Sequence, residues 1–151
     1  MIHFIEPSLE LALKHLEQLS ADTPAKWGVM NAQQMVEHLS DFFQLSRGEV
    51  DGVSLEIPEE NVHKAQSYLA SERPMPRLFK ANFFPDDPEL RNDNLQCAID
   101  EFCEEWVHFE TFFEGNEGVT TLHPSFGKLT YEQWKRVLSK HLTHHFEQFG
   151  I

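Results

Sequence analysis

Cationic side chains, cysteine, long apolar runs and period-two alternation are all scarce in this sequence of 151 residues. Lys and Arg number 12 against 25 Asp and Glu, a formal net charge of −13. Affinity for nucleic acid and for anionic membranes is carried largely by Lys and Arg, so this balance excludes both as partners. The only cysteines are Cys97 and Cys103. In a helical pattern they stand roughly 9 Å apart along the axis, beyond disulfide reach, and unpaired thiols fit a reducing compartment. No apolar run approaches the ~18 residues of a membrane-spanning helix. The opening MIHFIEPSLELALKHLEQL lacks the basic, apolar, small-residue order of a secretory signal. The expectation is a cytoplasmic protein with one domain over residues 1–151.

What the chain does have is phenylalanine, 13 copies, and four strongly amphipathic stretches. Ser8 can cap LELALKHLEQL, where Leu9, Ala12, Leu13, Leu16 and Leu19 share a face. Asn31 with Gln34 reads as a capping box opening AQQMVEHLSDFFQLSR, which Gly48 closes. In NDNLQCAIDEFCEEWVHFETFFEG, one stripe holds Leu95, Ile99, Phe102, Trp106, Phe109 and Phe113. Thr130 with Gln133 opens YEQWKRVLSKHLTHHFEQF, with Gly150 just beyond it. Nothing alternates long enough to make a sheet. The spacing therefore predicts an all-α four-helix bundle. Between its second and third helices runs a long crossover, from Gly48 to about Asp93, carrying an extra helix in PEENVHKAQSYLAS and then a Pro-rich segment. A crossover of that length can return the third helix parallel to the second, giving an up-down-down-up order.

Histidines crowd the end of the chain, in KHLTHHFEQFG. On the last helix His141 and His145 share the apolar face with Trp134, Leu138 and Phe149, while His144 lies about 100° from His145, on the flank. Two imidazoles at i and i+4, with Cβ atoms about 5–6 Å apart, can share one metal ion. The second helix offers His38, in phase with Met35, Leu39 and Phe42. His38 lies roughly 10 Å into its helix, and His141 and His145 roughly 12 and 6 Å from the end of theirs. In antiparallel helices these depths match. One inward histidine is usually a satisfied core residue; three at one depth need more hydrogen-bond partners than an apolar core holds. His3, His15, His63 and His108 read as solvated. His123, in HPSFGKL, belongs to the opposite end of the bundle in a structural role, where Pro124 and Gly127 shape the turn and Phe126 plugs the core.

The motifs WGVMNAQQMVEHL (27–39), HPSFGKLTYEQW (123–134) and KHLTHHFEQFG (140–150) carry a resemblance. The chain resembles the DinB-like (YfiT-like) metal-binding four-helix-bundle superfamily, and within it a subgroup of uncharacterised bacterial proteins. The resemblance implies one divalent ion, zinc or nickel, on His38, His141 and His145. It also implies that Gln148 takes the place of the family's trailing glutamine, which makes it a candidate substrate contact. The family's usual Arg-Gly before that glutamine is Phe146-Glu147 here, which removes the substrate contact that the arginine would imply.

Three histidines with an open coordination position make a catalytic type of site. The superfamily's chemistry implies a hydrolase using an activated water, or transfer of a low-molecular-weight thiol such as bacillithiol, mycothiol or glutathione. A non-catalytic, metal-stabilised binding or stress-response module is the competing class. No carboxylate stands out as a general base: Glu37 and Glu104 point away from their apolar faces, and Glu105 and Glu110 only flank theirs. The segment RPMPRLFKANFFPDDPEL should pass the metal end, where Arg77 and Lys80 could bind an anionic, partly apolar small-molecule substrate; its plainer role is to pack aromatics on the bundle. The reading leaves a homodimer open.

Overall fold

Asn31 and Thr130 decide where the two histidine-bearing helices begin. Each accepts a hydrogen bond from the backbone N–H three residues on, and the Gln34 and Gln133 side chains return to the cap backbone. Both capping boxes expected from the sequence are thus present. The computed structural model describes residues 3–77, 85 and 87–151. Within them lie α1 (Leu9–Leu16), α2 (Ala32–Ser46), a short 3-10 turn (Glu59–Asn61), α3 (Val62–Ala70), α4 (Leu95–Gly115) and α5 (Tyr131–Phe149). The extra crossover helix is α3, so the expected third and fourth bundle helices are α4 and α5.

The molecule is mostly helical, and the all-α expectation needs one correction. A two-stranded antiparallel hairpin, β1 (Thr121–His123) and β2 (Gly127–Leu129), pairs Thr121 with Leu129 and His123 with Gly127. Three-residue strands are too short to print an alternation that a sequence pattern can detect. Gly127 is required there: its φ is +78°, and a Cβ would come within 2.8 Å of the Val62 side chain. The first helix is also shorter than its apolar pattern. After Leu16 the chain tightens, with Gln18 and Leu19 donating to carbonyls three residues back, yet Leu19 stays buried.

The core lies chiefly between α2 and α4, the most extensively packed pair of elements. Phe43 meets Phe102, Trp106 and Phe109 at ring separations of 5.8, 5.4 and 5.4 Å. Each such side chain contributes about 1.5–3 kcal/mol by leaving water. The hairpin ties the end of α2 to the start of α5: Thr121 donates to the Ser46 carbonyl and accepts from the Trp134 indole. At the other end, His38 near the start of α2 meets His141 and His145 near the end of α5. Upstream of α1, Ile5 is held along α5 by Thr143 and Ser139. Among the described residues no helix is long and apolar enough to cross a membrane.

Candidate metal centre and its cavity

On α5, the i, i+4 spacing puts His141 and His145 on one face, and α2 brings His38 between them. The ring centroids are 4.9 Å apart for His38–His141, 4.9 Å for His38–His145 and 4.7 Å for His141–His145. One ring nitrogen from each lies within 4.8 Å of the others, and no fourth His, Cys, Asp or Glu of the described residues joins them. His144 turns aside, as its helical phase requires, and sets its ring edge-on to Trp27.

Hydrogen bonds fix which nitrogens are available. The Gln148 amide donates to the Trp27 carbonyl at 2.8 Å, so its oxygen must face His145 Nδ1, 2.7 Å away. Nδ1 therefore carries the proton and Nε2 keeps its lone pair. His38 Nε2 and His141 Nε2 stand 2.9 Å apart. Two lone pairs at that distance repel unless a proton or a cation lies between them. His141 Nδ1 is buried without a hydrogen-bond partner. Burial, followed by the neighbouring imidazoles, pushes His38 down to about 4 and both His141 and His145 well below the usual histidine range. All three are neutral at physiological pH. Neutral imidazole nitrogens are the donor set that zinc and nickel take, so the residues fit the ion that the resemblance implies.

The cluster forms part of the wall of a cavity of about 910 Å³. Gln148 lines it too, but both ends of its amide are engaged, so its evident role is to orient His145. Gly28 makes this possible: its φ is +81°, and a Cβ would lie 2.8 Å from the Gln148 nitrogen. Arg77 reaches the cavity with its guanidinium stacked 4.4 Å from the Trp27 ring centre. Lys80, the other cation expected near the substrate, lies outside the described residues.

Three expectations change here. His123 sits on the hairpin, about 10 Å of helix rise from His141 as judged from its neighbour Trp134 and so at the expected end, yet the same cavity reaches it. Its Nδ1 accepts from the Ser125 backbone N–H, which places the proton on Nε2, and burial pushes its pKa down to about 3. Glu37 is 2 % exposed instead of facing water. The stretch before α4 covers it, with its oxygens taking the Arg91 backbone N–H and the Gln33 amide. His15 is half-buried and stacks on Phe146, where a solvated side chain was expected. Each reversal comes from a loop or neighbouring helix that helical phase does not include.

Lys140 gave no signal in the sequence. It is buried beside His141 on the cavity wall, and burial lowers its pKa to about 8. Only the packing of α3 on α5 reveals it. Comparison with known proteins gives a family and nothing more specific: no curated protein and no solved structure matches the chain. A family model described as "Protein of unknown function (DUF1569)" matches residues 3–150, and the chain belongs to that family.

Proposed function

We propose that the protein is a divalent-metal-dependent enzyme, its ion held by His38, His141 and His145, and that it acts as a hydrolase. The observation that carries this reading is the convergence of three neutral imidazoles, two buried and His38 partly so, on the wall of a substrate-sized cavity. A purely structural zinc site closes its shell with four protein ligands and has no use for a cavity. The DinB-like resemblance implies the same three residues. We extend the reading to the fold, taking α1, α2, α4 and α5 as an up-down-down-up bundle; the pairing of the start of α2 with the end of α5 supports it.

A zinc or nickel ion bound there would supply Lewis acidity, lowering the pKa of a water or thiol beside it. The chain's own residues orient and enclose. Gln148 holds the His145 ring and its tautomer, and Trp27 holds Gln148. The neutral His123 keeps its proton on Nε2. Trp27, Phe42 and Phe126 give the cavity an apolar body that limits water.

Transfer of a low-molecular-weight thiol is the second reading, and one observation favours it. Among the described lining residues there is no Asp or Glu to take a proton from an attacking water. A thiol, with an ordinary pKa of about 8.5, would lose its proton on coordination and need no such base. The test is metal content together with a panel of ester, amide and thiol-plus-acceptor substrates, run on wild type and His141→Ala. Wild type should retain close to one ion per chain and turn over at least one substrate class faster than the variant. Metal retention without any such difference would return the protein to the non-catalytic, metal-stabilised class.

A further inference from the structure

The charge pattern of the cavity runs against that of the chain. Asp and Glu outnumber Lys and Arg by 25 to 12, yet the described lining residues include Lys64, Arg73, Arg77 and Lys140 and no carboxylate. A wall drawn from the average surface of this protein would be acidic. Cations gathered in a partly enclosed, low-dielectric cavity raise the local concentration of anions.

Lys140 is the innermost of the four, only 2 % exposed. Its ammonium donates to the carbonyls of Tyr68 at 2.9 Å and Arg73 at 2.8 Å and lies 4.5 Å from the centre of the Tyr68 ring and 5.2 Å from that of Phe4. An ammonium has three protons, and these carbonyls take two. Among the described residues no carboxylate forms an ion pair with it, Glu72 acting only from a distance, in contrast to Arg47, whose buried guanidinium contacts both Glu49 and Glu105. Burying a cation without an opposite charge is costly, which is why buried charges are normally paired. Arg47 follows that rule and Lys140 departs from it, at the wall of the cavity.

We propose that the cavity binds a small organic carboxylate with an apolar body, its carboxylate on the third proton of Lys140. The apolar body would lie along Trp27, Phe42 and Phe126, with Arg77 adding positive potential where it stacks on Trp27. Lys140 and the three histidines line the same cavity, so a molecule anchored on the ammonium has its remainder in the space that the histidines also wall. The proposal deepens the metal-enzyme reading and depends on it only for what happens at the far end of the bound molecule.

The test is calorimetric titration of the full chain with octanoate, octanamide and octylamine, with the ion loaded and after it is stripped by a chelator. Octanoate should bind about tenfold or more tighter than octanamide, and octylamine weakest, in both states. Lys140→Gln should bring the first two to within about twofold while leaving metal content unchanged, and Lys140→Arg should restore the preference. Equal binding of octanoate and octanamide by wild type overturns the proposal, and so does a preference that survives in Lys140→Gln. A preference lost on stripping alone also overturns it, since the carboxylate would then sit on the ion. If Lys140→Gln does not fold, the ranking by the stripped wild type decides. Metal content is read separately, so absence of a bound ion would end the metal-enzyme reading without touching this one.

Discussion

At the scale of single residues, the site depends on nitrogen atoms whose availability is set by their neighbours. His38, His141 and His145 converge, while His144, one residue from His145, faces Trp27. Alanine at any of the three should therefore abolish metal retention, and His144→Ala should leave it within a few-fold, as read by metal analysis after gel filtration. Loss in His144→Ala with retention in His145→Ala would sink the assignment. Gln148 acts through His145, so its effect should be graded. Gln148→Leu frees the imidazole to rotate and change tautomer, and metal affinity should fall about 10- to 100-fold without vanishing. Gly28→Ala should reproduce part of that loss, because its Cβ would displace the Gln148 amide. Competition with a chromogenic chelator measures both; wild-type affinity in Gln148→Leu would remove the glutamine from the site.

At the scale of elements, the helices owe their limits to caps and their stability to one aromatic seam. Thr130→Ala removes the acceptor of the first turn of α5 and should cost about 1 kcal/mol. Phe102→Ala opens a void against Phe43 and Trp106 and should cost about 3–5 kcal/mol. Urea denaturation separates the two, and a smaller loss at Phe102 than at Thr130 would contradict the α2–α4 seam as the main core. The hairpin belongs to this scale as well. It holds the end of α2 to the start of α5 through Thr121, and the turn it carries brings His123 and Phe126 to the cavity.

For the whole molecule, buried neutral histidines make stability depend on pH, most plainly in the metal-free protein. Above about pH 6.5 neither folded nor unfolded chain protonates them, and they cost nothing. Below it the unfolded chain takes up protons that the folded one refuses until about 4 for His38 and about 3 for His123. The unfolded state then binds more protons, so stability falls with pH by up to ~1.4 kcal/mol per unit per group. Urea midpoints should drop between about pH 7 and about pH 5, above the carboxylate range, and His123→Gln should flatten the slope. A midpoint unchanged over that interval would mean these histidines are not held neutral. Net charge acts at this scale too: at −13 the chain should show no salt-sensitive affinity for duplex DNA in a titration at physiological salt. Much was legible without coordinates. The sequence by itself determined the helices, their caps and the phase that separates His141 and His145 from His144, because all of these follow from interactions within a few residues. It also showed His38 at a matching depth, since helical rise converts position into distance. Tertiary structure alone decided the burial of Glu37 and Lys140, the place of His123 on the same cavity, the hold of Gln148 on His145 and the concentration of cations on an otherwise acidic chain's inner wall. Those properties depend on which distant segment covers a side chain, and a local pattern carries no record of that.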